Sequence, residues 1–476
     1  MSKYITVMLA VCLIAALAVP TVLAQSATNQ AWTSSITYYT PSATGGTLQV
    51  DYYAASGTKY SATPITLQPH KAGTLLISSV TTTPSLPASL AGAAVLSSDV
   101  PVVATYVQFS STETAGYGRL LYTAFKPEDA APTFYIPTVL YQAAGSTSTI
   151  GVQNIETSAI TATLKFYAVG ATTPTATKDI TLQGQSSYIF KPSDITGLNP
   201  GFNGSLVVNA GGKVVAASEE TDNAGRGAYA FEGAAQGANT IYMPSMLCKT
   251  GAEQQISYYA IQNASPIAAS VVMTYYNTSG AVVGTMPATN IAAGGKLSAN
   301  PCTNGGVAAG TSGSAVIQST GGAVIAIGKV KANNGMATAF NGQAQGSLKL
   351  AAPYVRWAAS SSADFRAFVA VMNVGSAPAT NITATYYDGN GTAVATATLA
   401  TSGTPLNPFI KTNTTPLAAG ALNPTYGDFG FHPGGGAIEF SSDQPIVVVA
   451  RLQREVVPAL GTFARVAEDY NAVSVP

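Results

Sequence analysis

From residue 32 onward apolar and polar positions alternate over short runs, and Gly, Pro, Asn and Asp punctuate them. A period of two over about 5 to 8 residues, broken by turn residues, predicts antiparallel strands. No stretch after the first 24 residues sustains the 3.6-residue period of a helix. The strand signals recur in a fixed order. An apolar residue precedes Pro at Ile136-Pro137, Met243-Pro244, Ala352-Pro353 and Val475-Pro476. A strand ending in Asn follows in TIGVQN (149–154), YYAIQN (258–263) and AFVAVMN (367–373). An aromatic pair then leads into a Gly turn in VDYYAASGT (50–58), LKFYAVGAT (164–172), MTYYNTSGA (273–281) and ATYYDGNGT (384–392). Last comes a Gly and a small residue opening two Val-rich runs. The copies are LAGAAVLSSDVPVVATY (90–106), FNGSLVVNAGGKVVAAS (202–218), TSGSAVIQSTGGAVIAIG (311–328) and PGGGAIEFSSDQPIVVVAR (433–451). DVP, AGG, TGG and DQP sit between those runs and are expected to be hairpin turns. Neighbouring residues of a strand face opposite ways, so each aromatic pair should place one ring in the core and one outside.

Four signals in one order, four times, with a period of roughly 110 residues, define tandem modules. The expected boundaries are 25–132, 133–240, 241–350 and 351–476. Each module has the strand count of a two-sheet sandwich. The fourth is longer, and the excess is assigned to an insertion at 404–431, expected to be a surface loop dispensable for folding.

The first 24 residues differ. Lys3 is their only charge, and the stretch from Tyr4 to Val19 is apolar apart from Thr6. Pro20 breaks it, and Val22-Leu23-Ala24 supplies small residues for cleavage. That order reads as a secretory signal at 1–24, and its apolar stretch of sixteen residues is short for a membrane span of about 20. The expected mature chain is exported, with no membrane span of its own. VPTVLAQ (19–25) also matches IPTVLYQ (136–142) at five of seven positions. Cleavage after Ala24 should therefore cost the first module its opening strand, unless Ala27 to Ser34 replaces it.

Composition narrows the class. Only 9% of residues are charged, with 21 bases against 21 acids, where an ordinary soluble domain has about 25%. Such a chain offers no electrostatic footprint for nucleic acid or an anionic membrane. A surface so poor in charge resists association weakly.

The Pro-marked strand, the V-Q-N strand, the Y-Y strand and the Gly-opened Val runs resemble the tandem immunoglobulin-like repeats of secreted and surface-attached bacterial proteins. The resemblance implies an all-β fold of four antiparallel sandwiches and an extracellular or cell-surface location. Surface-layer subunits, filament subunits and adhesins are of this kind.

Chemistry is sparse. His70 (LQPHKAG) and His432 (GFHPGGG) lie in loop-like sequence without a partner motif for a nucleophile–base–acid set. No metalloprotease, phosphate-loop or dinucleotide motif stands in a supporting context, so the chain reads as non-enzymatic, without cofactor. The acidic cluster Glu219, Glu220 and Asp222 has the oxygens for calcium, with a solvated loop edge as the competing reading. Asn-x-Ser/Thr sequons stand at Asn203, Asn263, Asn277, Asn381, Asn390 and Asn413, as chance allows in a Thr-rich chain. Cys248 and Cys302 are the pair left in the third module and should form a disulfide worth about 4 kcal/mol in the chain-entropy model.

The sequence thus favours a structural subunit of a filament or layer, a homo-polymer, over an adhesin with a host-surface or glycan ligand. The strand-like end, Asn471, Ala472, Val473, Ser474, Val475 and Pro476, is expected to complete the first module of the next subunit by strand donation.

Overall fold

The computed structural model describes residues 7–13, 32–110, 118–222, 227–333, 335–360, 364–455 and 465–476. Strands and three short 3-10 turns, with no α-helix, make up the regular structure of the described residues. Every strand pairing is antiparallel, so the all-β expectation holds.

One arrangement occurs four times. In the third copy, Thr240–Cys248 and Ala269–Asn277 flank Thr311–Gly321 in one sheet. Ile256–Asn263 and Ala337–Asn341 flank Val324–Lys331 in the other. The two Val-rich runs therefore lie in different sheets and do not pair with each other. In the second copy they form one unbroken strand, Phe202–Asp222. Its first part pairs with Ile160–Ala168 and its second with Ser146–Asn154. In the fourth copy Ala437–Glu455 does the same. The expected hairpin turns are corners at which one strand passes between the two sheets of a sandwich. Gly and Pro at AGG and DQP allow the bend, while the Val residues on either side each face a core.

The aromatic pairs behave as expected. Tyr52, Phe166, Tyr275 and Tyr386 are fully buried, and Tyr53, Tyr167, Tyr276 and Tyr387 are partly exposed. The Gly that opens each Val run has a steric cause. A Cβ on Gly92 or Gly204 would lie 2.1 Å from the carbonyl oxygen of Tyr53 or Tyr167. The Asn of each V-Q-N strand is a buried clamp. Asn263 Nδ2 donates to the carbonyls of Ile267 (2.7 Å) and Ile291 (3.0 Å), and its Oδ1 accepts from Ser265 N–H (3.0 Å). Asn154 and Asn373 make the corresponding bonds.

The sandwiches close into a ring. The closing strand of each, Arg119–Thr123, Ala228–Glu232, Ala337–Asn341 and Arg465–Asn471, lies against two of the others around one axis. Cores cross the seams. Ala260 and Ile327 of the third module join the core shared by the first two. Val107 and Leu121 join the fourth, and Val449 and Ala467 join the third.

The first module's opening-strand slot, beside Gly92–Ser98, holds Val7–Leu13, in register from Val7↔Ser98 to Leu13↔Gly92. Its counterparts are Ala131–Tyr141, Thr240–Cys248 and Ser347–Ala352. VPTVLAQ, expected in this slot, lies outside the described residues, as does Ala27 to Ala31. Trp32–Tyr39 pairs in the other sheet, with Val103–Ser110.

Two further expectations are corrected. Residues 404–431 are more than an insertion, because Lys411–Thr414 pairs with Val369–Met372 and Phe429 is buried against Tyr386. The end of the chain is not free. Asn471 finishes a closing strand, and Val473–Ser474 pairs with Ala351 and Leu350.

Candidate functional site: the axis and the seam cleft

Each closing strand ends, after an aromatic residue, at the axis: Thr123, Glu232, Asn341 and Asn471. A hydrogen-bonded belt joins them. Thr123 N–H donates to Glu232 Oε1. Asn341 Nδ2 donates to Glu232 O (2.9 Å), and Asn341 N–H to Asn471 Oδ1 (2.8 Å). Asn471 Nδ2 donates to Asn341 O (2.9 Å), and Thr123 Oγ1 to Asn471 O (3.1 Å). These residues line a cavity of about 680 Å3. Removal from water pushes the Glu232 carboxyl up to about 7, only partly offset by the Thr123 N–H.

Charged pairs tie the seams. Arg119 makes a forked contact with Glu468 (2.7 and 3.0 Å) and reaches the Tyr354 hydroxyl at 3.2 Å. Arg451 does the same with Asp469 (2.8 and 2.7 Å) and donates to Gln255 of the third module at 3.3 Å. Lys329 of the third module pairs with Glu220 of the second.

That last pair borders a cleft of about 430 Å3 between the second and third modules. The strand Lys296–Ala299 pairs with Ile256–Asn263 and so sets Lys296 at its floor. Its Nζ donates to Thr138 Oγ1 (2.8 Å) and Asn203 Oδ1 (2.6 Å) of the second module. Burial, with Lys329 nearby, drives the Lys296 ammonium down to about 7. Glu220 Oε1, also buried here, has no hydrogen-bond partner. Tyr258 and Lys331 stand exposed at the mouth.

The residues singled out by sequence fall as follows. Cys248 and Cys302 are bonded, with Cα atoms 5.4 Å apart. Glu219 and Glu220 are buried rather than at a solvated edge. As strand neighbours they point to opposite faces, and desolvation holds the Glu219 carboxyl well above its ordinary range. Among the described residues no group of three or more His, Cys, Asp or Glu stands together to hold a metal. Asn263 is buried by its clamp and is no glycan acceptor as folded. The histidines do have partners. His70 Nδ1 lies 3.1 Å from Glu439 Oε1, and its ring stacks on Tyr387. Tyr39 donates to the same carboxylate at 2.7 Å, so this cluster joins the first and fourth modules. His432 Nδ1 lies 2.5 Å from Asp428 Oδ2. Of the assembly residues, Ser474 accepts from Lys126 Nζ (3.0 Å), and Pro476 O from Lys349 Nζ (3.1 Å). Sequence reasoning missed the axis belt and the cleft. An aromatic–polar step ends each module (YT, FE, FN, YN) and was the available signal for the belt.

No family model and no curated protein matches the chain. Among solved structures, the Thermotoga maritima protein 1070 is similar to 22% of this chain and 94% of its own, at 13% identity and a TM-score of 0.19. The native conformation of Escherichia coli alpha-2-macroglobulin aligns with 90% of this chain at 8% identity and a TM-score of 0.11. The match spans only 38% of that protein. At such scores neither likeness carries an argument. Among the described residues no helix is long and apolar enough to cross a membrane.

Proposed function

We propose that this chain is an exported, non-enzymatic structural protein, a subunit of a cell-surface filament or layer that grows by strand addition. One observation carries the reading. The strand completing the first module, Val7–Leu13, lies upstream of the proposed signal cut at Ala24. Removing it would strip one of the two ladders of Gly92–Ser98, which keeps Gly46–Ala54 on its other side and whose Ala93, Ala94, Val95 and Leu96 are buried. An apolar edge with unpaired backbone groups accepts a strand from another chain. A contact from one copy to the next that does not close on itself builds a polymer. Low surface charge favours such packing.

The donor differs from the sequence expectation. Asn471 to Pro476 pack within their own chain, so donation by them would first break the axis belt and the pairing with Leu350 and Ala351. The proposed donor is another strand of a second copy. The test compares residues 25–476 with the full chain by sedimentation and electron microscopy. Open-ended polymers of the shorter form, suppressed by a peptide of sequence VMLAVCL, are expected. A monodisperse 25–476 protein in the same oligomeric state as the full chain would refute strand addition.

A further inference from the structure

We propose that the cleft between the second and third modules binds a short saccharide carrying a carboxylate. Its wall holds a buried oxygen in want of a donor. Glu220 is fully buried, one oxygen takes Lys329, and the other has no partner. Buried polar atoms are normally satisfied, and an exception at a cavity wall points to a missing group. Across the cleft Lys296 uses two donors, on Thr138 and Asn203, of the three an ammonium carries. A hydroxyl can do both, donating to Glu220 and accepting from Lys296.

The mouth selects further. Tyr258 is 41% exposed, an aromatic face on which a sugar ring can lie. Asn300 and Asn304 line the same cleft and offer amides to further hydroxyls. The lining holds three amines, Lys296, Lys329 and Lys331, against the single acid Glu220. Lys329 is taken by Glu220, and Lys331 is exposed at the rim. That excess of positive charge favours an anionic substituent, and a carboxylate accepts ammonium donors well. A cleft of about 430 Å3 is of the size small-molecule sites have.

The other seams do not repeat the constellation. The ladder position of Glu220 is Gln108 in the first module, Val330 in the third and Leu452 in the fourth. The position of Lys329 is Val107, Glu219 and Arg451 in the first, second and fourth modules. A purely architectural role for the pair would not need an open cleft with an aromatic rim.

The test is calorimetric titration of the full chain with digalacturonic acid, with maltose and inorganic phosphate as controls. Saturable binding of digalacturonic acid is expected, with maltose and phosphate each at least about tenfold weaker. Tyr258→Ala and Lys331→Ala, both at exposed positions, should weaken it about tenfold without shifting the melting temperature. Glu220→Gln should weaken it as well. No saturable binding at about 10 mM would overturn the proposal. So would binding indifferent to Tyr258→Ala and Lys331→Ala, or phosphate bound as tightly, which marks a bare anion site. The full chain keeps Val7–Leu13, so failure here leaves strand addition untouched, and the reverse holds.

Discussion

A single Asn shapes each V-Q-N strand end. Asn373 Nδ2 donates to Ala377 O (2.9 Å) and Leu406 O (2.8 Å), and its Oδ1 accepts from Gly375 N–H (2.8 Å). Asn373→Ala would leave these buried partners unpaired and should cost about 2 to 4 kcal/mol in denaturant unfolding. Thr40 takes this place in the first module without a partner for its hydroxyl. Thr40→Val should be neutral or stabilising there. At the axis, Glu232 gives the sharpest pH effect. Its folded pKa stands near 7 instead of the ordinary 4.5. The folded chain keeps a proton that the unfolded chain loses, so this contribution is full below pH 4.5 and lost as pH rises through 7. Glu232→Gln keeps the acceptor for Thr123 N–H. It should flatten the fall in melting temperature between pH 5 and 8, and a wild-type slope in the mutant would disprove the assignment. The aromatic pairs and the cysteine pair were legible in sequence because alternation and isolation within one module decide them. Glu220 was not, because its partner, Lys329, lies in another module.

At the scale of elements, strands were easy to find and their partners were not. Val-rich runs on either side of AGG or DQP read equally well as a hairpin or as one strand bending between sheets. Local pattern records burial of both runs in either case. The same limit affected 404–431, where KTNT has little apolar character. It nonetheless forms the edge strand beside Val369–Met372, and Ile410 ahead of it is buried. Deleting 404–431 should therefore abolish cooperative unfolding of the fourth module. Retention of the wild-type melting profile would show that this strand is dispensable. The surface changes Leu417→Ser and Tyr426→Ser, both at exposed positions, should leave stability within about 0.5 kcal/mol.

Across the whole molecule, the sequence implied tandem modules but not that they close into a ring. The ring depends on pairs far apart in the chain, such as Arg119–Glu468 and His70–Glu439. Glu468 is fully buried at its carboxylate, and Arg119 is partly exposed, at 16%. Glu468→Ala should cost about 3 to 5 kcal/mol by stranding the guanidinium, and replacing both residues with Met should cost less. A smaller loss for the single change than for the double would contradict a seam role. The opening strand of the first module is the other feature of this scale. Repeat logic said that signal removal would empty a strand slot, and Val7–Leu13 occupies that slot in the structure. Hydrogen exchange at residues 92–98 of the 25–476 protein tests the consequence most directly. Strand addition predicts fast exchange in dilute monomer at the amides facing the vacated edge, with those facing Gly46–Ala54 protected throughout, and strong protection of both sets once polymers form. Equal protection in both states would contradict it.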